Sequence, residues 1–194
     1  MIKKLSYFLI ITFFSISSIF AVEAEVEKYV HQLITDSLDI LNDKTMDAKA
    51  KKLKVRTMLS QNLDATWMGR FTIGREVKTL PSEKLQKFIE TYTTFVVNSY
   101  ANAVSAYKGE KVNVKSVDTL SGGFFMVKTQ VTKSDSNSIN VDYLAHSING
   151  TYKVCDVITE GISLVNSQRS EYTGVISDGG IERLISELVK RSNI

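Results

Sequence analysis

Residues 91–107, TYTTFVVNSYANAVSAY, run for seventeen positions without a charge, a glycine or a proline, in a chain that is 23% charged. The stretch belongs to a longer helix. The chain's one proline, Pro81, precedes Ser82, which the pattern places as N-cap, with Glu83 in the first turn where the helix dipole favours an acid. From there Leu85, Phe88, Ile89, Tyr92, Phe95, Val96, Tyr100, Val104 and Tyr107 recur at helical spacing. The helix predicted from Ser82 to near Gly109 is about 25 residues, ~37 Å. Its opposite side begins with Lys84, Lys87 and Glu90 but continues as Thr94, Asn98, Asn102 and Ser105. A solvated face ordinarily carries charges, so this one is expected to face protein or a poorly hydrated space. Two accounts fit: a central helix packed among other elements, or a helix that walls an apolar cavity with a neighbouring sheet. Too many Thr, Asn and Ser interrupt it for a membrane span.

Before this helix, Val26, Val30, Leu33, Leu38 and Leu41 predict a helix over 22–42. Leu53, Val55, Leu59 and Leu63 predict a second over about 47–63, and DATWMGRFTIG a short third closed by Gly74. After Gly109 the period changes to two. EKVNVKSV, GGFFMVKTQVTK, SINVDYLAHSI and GTYKVCDVITEG read as four strands, with hairpin turns at SDSNS and ING. Ile139, Val141, Tyr143 and Ala145 share one strand face and Asn140, Asp142 and His146 the other, whereas FFMV is apolar on both and so predicts cover on both. IERLISELVKR returns the chain to helix. The predicted class is α+β.

The N-terminus carries a different signal. Lys3 and Lys4, an apolar run from Leu5 to Phe20 and the small residue Ala21 make the three-part layout of a cleaved secretory signal. Cleavage is expected after Ala21, with Ala24 as the alternative, leaving residues 22–194 as a single domain. The mature net charge would be about +1, which gives no nucleic-acid footprint. Charges segregate locally: residues 22–43 are acidic, and 44–56 hold Lys44, Lys49, Lys51, Lys52, Lys54 and Arg56. Two solvated helices account for this, as does a basic patch that meets anionic head groups or an acidic partner. Cys155 is the chain's one cysteine, so it forms no internal disulfide, and in a strand-like run it reads as a small buried hydrophobe.

The residues supply no catalytic constellation. His31 and His146 sit on the presumed polar sides of a helix and a strand without metal-ligand spacing, and alternation gives no reason to pair His146 with Cys155. Asp156 and Glu160 would stand ~13 Å apart along one strand, beyond the ~5–9.5 Å of a glycosidase pair. SDGGIER has neither the lysine nor the preceding strand of a phosphate loop. If the chain were an exported hydrolase, Tyr143, His146 and Asp156 would be its candidate set. A ligand-free adaptor is the other alternative.

Two blocks settle on a known pattern. Arg70, Ile73-Gly74, Pro81-Ser82, Tyr100-Ala101 and Tyr107-Lys108-Gly109 form the first. Val141-Asp142-Tyr143, Cys155-Asp156-Val157, Gly161-Ile162-Ser163-Leu164, Asn166, Arg169, Ser170 and Gly180-Ile181 form the second. From about Val26 to Leu188 the chain resembles the MlaC (toluene-tolerance) family of periplasmic phospholipid carriers. Departures are Cys155, where the family usually has an aromatic, and Thr66-Trp67 in place of a more aliphatic pair. The resemblance implies N-terminal helices and a long central helix on a four- to five-stranded antiparallel curved sheet, C-terminal helices, and an enclosed lipid cavity. It implies a periplasmic shuttle, not an enzyme, with phospholipid as cargo and no cofactor. Its partners would be an outer-membrane lipoprotein complex and an inner-membrane ABC transporter bearing a lipid-conducting ring. The cargo explains the need for a hollow: at about 0.8 kcal/mol per methylene, two chains of about 16 carbons carry about 25 kcal/mol of apolar exposure. Expected lining residues are Met68, Phe71, Phe88, Tyr92, Phe95, Val96, Tyr100 and Val104 from the helices. Phe125, Val127, Val141, Tyr143, Ile162 and Leu164 are expected from the sheet and the Gly161 turn.

Overall fold

The computed structural model describes residues 14–103, 107–133 and 137–192. Its order is α1 (Phe14–Asn42), α2 (Ala48–Asn62), α3 (Ala65–Ile73), α4 (Ser82–Ala103), strands β1 (Lys111–Thr119), β2 (Phe124–Thr132), β3 (Ser138–Ile148), β4 (Thr151–Thr159) and β5 (Ile162–Ser163), then α5 (Leu164–Ser192). The expected α+β class and antiparallel sheet are present, and a short fifth strand joins the four predicted ones in the order β1-β2-β3-β4-β5.

Local chemistry sets most boundaries. Asp47 caps α2 by accepting the Ala50 N–H at 2.7 Å, and Asp64 caps α3 by accepting the Trp67 N–H at 2.9 Å. Gly74, at φ 56°, ends α3 in a conformation that other residues adopt only with strain, and a Cβ there would meet the Arg169 guanidinium at 3.0 Å. That guanidinium also lies over the Phe71 ring, 5.0 Å from its centroid, so two separate sequence motifs meet at one contact. The Pro81 carbonyl accepts the first helical hydrogen bond of α4, from Leu85 N–H, which makes Ser82 the first helical residue and not the cap. Asn149 and Gly150 turn β3 into β4 with both φ positive, the primed geometry that matches strand twist. The other expected hairpin, SDSNS, has its flanks paired at Thr132 and Ser138, while residues 134–136 lie outside the described set. α1 begins before the expected Val22, at Phe14.

Register divides the sheet into two faces. One carries Val112, Val114 and Val117, then Phe125 and Val127, then Val141, Tyr143 and Ala145. α1 packs on it, burying Val26 and Val30 against Phe125, Val127 and Ala145. The opposite face carries Phe124 and His146, stacked at 5.2 Å, with Trp67 of α3 over both. The doubly apolar β2 is thus covered on both faces, as expected.

Two bulges bend the strands. In β1 the register shifts between Val114 and Ser116, and in β4 across the step from Val154 to Asp156. Cys155 is the extra residue of the second bulge, fully buried, with its Sγ against the Leu144 carbonyl at 3.4 Å. Burial pushes its thiol pKa well up.

The main core lies among α3, α4 and α5, where Met68, Phe88, Tyr92, Phe95 and Val96 meet Tyr172, Ile181, Leu184 and Leu188. The buried Tyr92 hydroxyl donates to Gln168 Oε1 at 2.7 Å. α4 is flanked by α2, α3 and α5. The uncharged stretch is explained by that crowding: Asn98 donates to the Ser192 carbonyl at 3.1 Å, and the Arg191 guanidinium covers the Phe95 ring at 4.9 Å.

Candidate functional site

Away from the α3–α5 core, a cavity of about 470 Å³ opens between the C-terminal half of α1, α2 and the α1-facing side of the sheet. Leu33, Ile34, Leu38 and Leu41 line it from α1, and Val55, Met58 and Leu59 from α2. The sheet contributes Val112, Val131, Ile139, Val141, Tyr143, Val154 and Val157. The size lies within the ~300–1,000 Å³ usual for small-molecule pockets. Glu110 and Lys133 are the charged members of the lining.

Helical spacing and strand pleat build this wall. Leu33, Ile34, Leu38 and Leu41 recur at three and four residues, one stripe of α1. On the sheet, strict alternation would put Val154 and Val157 on opposite faces. The bulge at Cys155 restores both to the cavity side, where Val154 pairs with Ala145 and Val157 with Tyr143. Tyr100 and Tyr143 bring their phenol rings to the wall. Burial raises the pKa of both phenols, so they are neutral donors at physiological pH. The Ser37 hydroxyl is satisfied by the Leu33 carbonyl at 2.6 Å.

Of the fourteen expected lining residues, the structure places Tyr100, Val141 and Tyr143 on the cavity. Phe125 and Val127 share that sheet face but are buried under α1. Met68, Phe88, Tyr92, Phe95 and Val96 belong to the α3–α5 core, with Phe71 and Leu164 packed partly buried against it. Ile162 is 68% exposed at the β4–β5 turn. Val104 lies outside the described residues. α4 reaches this cavity only near its C-terminal end, because α3 and α5 occupy its apolar stripe before that. α1 and α2 supply the rest of the helical wall, and their charged outer faces make them look like ordinary solvated helices in the sequence. On α2, Leu53, one of the apolar residues that predict the helix, is 63% exposed.

The candidate hydrolase set is not assembled. Tyr143 lines the cavity, whereas His146 points to the opposite face and pairs with Asp64, Nε2 to Oδ2 at 2.9 Å, both largely buried. Asp156 is buried and fully engaged: Oδ1 accepts the Val157 and Val165 N–H groups at 2.8 and 3.1 Å, and Oδ2 the Ser163 hydroxyl at 2.5 Å. It holds the start of α5 to the sheet. Exposed Glu160 accepts instead the Asn140 N–H, and His31 is exposed on α1, as its helical position suggested. Among the described residues no group of three or more His, Cys, Asp or Glu is placed to hold a metal, and no helix is long and apolar enough to cross a membrane.

An α+β domain whose helices roof one face of an open antiparallel sheet over an apolar hollow is a small-molecule-binding fold. The chain belongs to the MlaC family, whose model, "MlaC protein", matches residues 31–190. It is 21% identical over 201 residues to the intermembrane phospholipid transport system binding protein MlaC of Haemophilus influenzae, covering 97% of this chain and 94% of that protein. Over 109 residues it is 26% identical to toluene tolerance protein ttg2D of Pseudomonas putida, covering 56% of this chain and 50% of that one. Its fold is similar to that of a Ralstonia solanacearum phospholipid-binding protein solved with a phospholipid, with a TM-score of 0.73 and 20% identity over 86% of this chain and 96% of that one.

Proposed function

We propose that this chain is a phospholipid carrier that takes the acyl tails of its cargo into the cavity between α1, α2 and the sheet. The observation that carries the reading is that cavity: about 470 Å³ walled almost wholly by aliphatic and aromatic side chains, in a protein of the MlaC family. Water is a poor filling for such a space, and hydrocarbon a good one, at about 0.8 kcal/mol per methylene withdrawn from water. A ligand-free adaptor would have filled the space with its own side chains. The names of the Haemophilus and Ralstonia relatives, intermembrane phospholipid transport and phospholipid binding, agree with the cavity's chemistry.

The finer reading is a periplasmic shuttle. Residues 1–21 act as a cleaved export signal and residues 22–194 as the single carrier domain. The partners are an outer-membrane lipoprotein complex and an inner-membrane ABC transporter bearing a lipid-conducting ring, so that traffic between them maintains outer-membrane lipid asymmetry. No cofactor is needed, since the work is partition and not chemistry. Native mass spectrometry of protein purified from the compartment it is exported to, with organic extraction of the same sample, tests this reading. The expected result is a mature chain starting near Val22 with lipid-sized adducts that extract as phospholipid; bare protein in both measurements would refute the carrier role.

A further inference from the structure

The cavity wall is uncharged except where Glu110 and Lys133 line it. Their placement follows from the ladder. Lys111 pairs with Thr132 and Val112 with Val131, so the next rung outward sets Glu110 opposite Lys133 on the face that carries Val112 and Val131. Lys111 alternates to the other face. Opposite charges on facing positions ordinarily close on each other, but here the carboxylate is taken by backbone: Glu110 Oε2 accepts the Lys108 N–H at 2.7 Å. That bond holds the Glu110 carboxyl below its usual range, with lesser help from the Lys108 and Lys133 charges. The Lys133 ammonium has no ion pair within 4 Å among the described residues. Tyr107 braces the same end, accepting from Asn42 Nδ2 at 3.2 Å and donating to the Glu110 carbonyl at 3.4 Å, which ties the end of α1 to the start of β1. The result is a fixed anion beside a cation that no carboxylate among the described residues pairs, one rung outside the apolar wall.

Resting on the carrier reading, we infer that this rung reads the head group and favours zwitterionic phospholipids, with Lys133 taking the phosphate and Glu110 the terminal ammonium. A lipid whose tails lie among Val112, Val131 and Ile139 must leave its phosphate at the aqueous boundary where these two side chains stand. An anionic lipid such as phosphatidylglycerol satisfies Lys133 but offers nothing to Glu110, and its net charge meets that carboxylate unfavourably. Because Lys133 is exposed and Glu110 half-buried, the discrimination is modest: about two- to fivefold, the range of a single solvent-screened ion pair.

The test incubates the full chain with vesicles of equal parts phosphatidylethanolamine and phosphatidylglycerol, re-isolates the protein and quantifies both lipids by mass spectrometry. The expected ratio in the wild type is two to five in favour of phosphatidylethanolamine. Glu110→Gln brings it to the vesicle ratio, Glu110→Lys takes it below, and Lys133→Gln lowers the uptake of both lipids. Lys128→Gln, on β2 but paired with Asp118 and outside the cavity lining, keeps the wild-type ratio. Wild-type protein loaded at the vesicle ratio, or a Glu110→Lys protein with the wild-type ratio, overturns the inference while leaving the carrier reading intact. Folded wild-type protein that loads neither lipid overturns both.

Discussion

Replacing Val141 by Phe puts the cavity to a quantitative test. Val141 lies on the cavity wall in the first half of β3, between Ile139 and Tyr143. The larger side chain adds four carbon atoms that project into the hollow and displace about as many methylenes of cargo. At about 0.8 kcal/mol per methylene the lost burial is about 3 kcal/mol, which weakens tail binding by about two orders of magnitude. The lipid-free protein should be unharmed, since the ring enters empty space and not a packed core; filling a cavity more often stabilises than not. The assay is equilibrium partition of a phospholipid with a fluorescent acyl chain between vesicles and protein, with thermal melting of the stripped protein as control. Unchanged partition at an unchanged melting temperature would show that the tails do not run past Val141, and the proposed cavity would be the wrong one.

Other substitutions separate core from cavity. Tyr92→Phe leaves the buried Gln168 Oε1 without its donor, which should cost about 2 kcal/mol and lower Tm by about 4–8 °C; calorimetry checks this, and lipid loading of the folded fraction should not change. Gly69→Ala places a Cβ 2.9 Å from Ile89 Cδ1 and 3.0 Å from Tyr92 Cδ1. Crowding of about 1–3 kcal/mol should outweigh the gain of about 1 kcal/mol in helix propensity, so denaturant titration should show a net loss, not a gain. Cys155, buried and with its thiol pKa raised, should resist alkylation at pH 8 in the native protein and react at once in guanidinium; fast labelling of folded protein would contradict the bulge packing.

The order of elements was legible in the sequence because period and punctuation agree: Gly74, Pro81 and Asn149-Gly150 mark real boundaries, whereas α4 is helical to Ala103 and residues 107–110 are not helical, short of the end expected near Gly109. The site was legible only where two constraints coincided. Val141 and Tyr143 share a strand face by simple alternation, and Tyr100 falls near the end of α4, beyond the reach of the α3–α5 core. Phe88, Tyr92 and Phe95 look the same on a helical wheel as cavity residues would, because periodicity identifies an apolar stripe without saying what covers it. α1 and α2 were missed for the opposite reason. Their lysines and acids advertise the wet face, while Leu38, Leu41, Met58 and Leu59 supply an inner stripe whose depth no local pattern reports. Val154 and Val157 depended on a bulge, and one inserted residue reverses every face assignment beyond it. The mouth pair was hidden as well, since Glu110 and Lys133 become neighbours only once the β1–β2 register is known.

Photochemical mapping of the tails tests the central claim most directly. A phospholipid carrying a diazirine midway along one acyl chain is loaded into the purified protein, irradiated, and the adducts are located by peptide mass spectrometry. Labels on α1, α2 and the strands beneath them, at residues such as Leu38, Met58, Val131 and Ile139, are the predicted result. Labels concentrated in the α3–α5 core, around Phe88 and Tyr172, would contradict it.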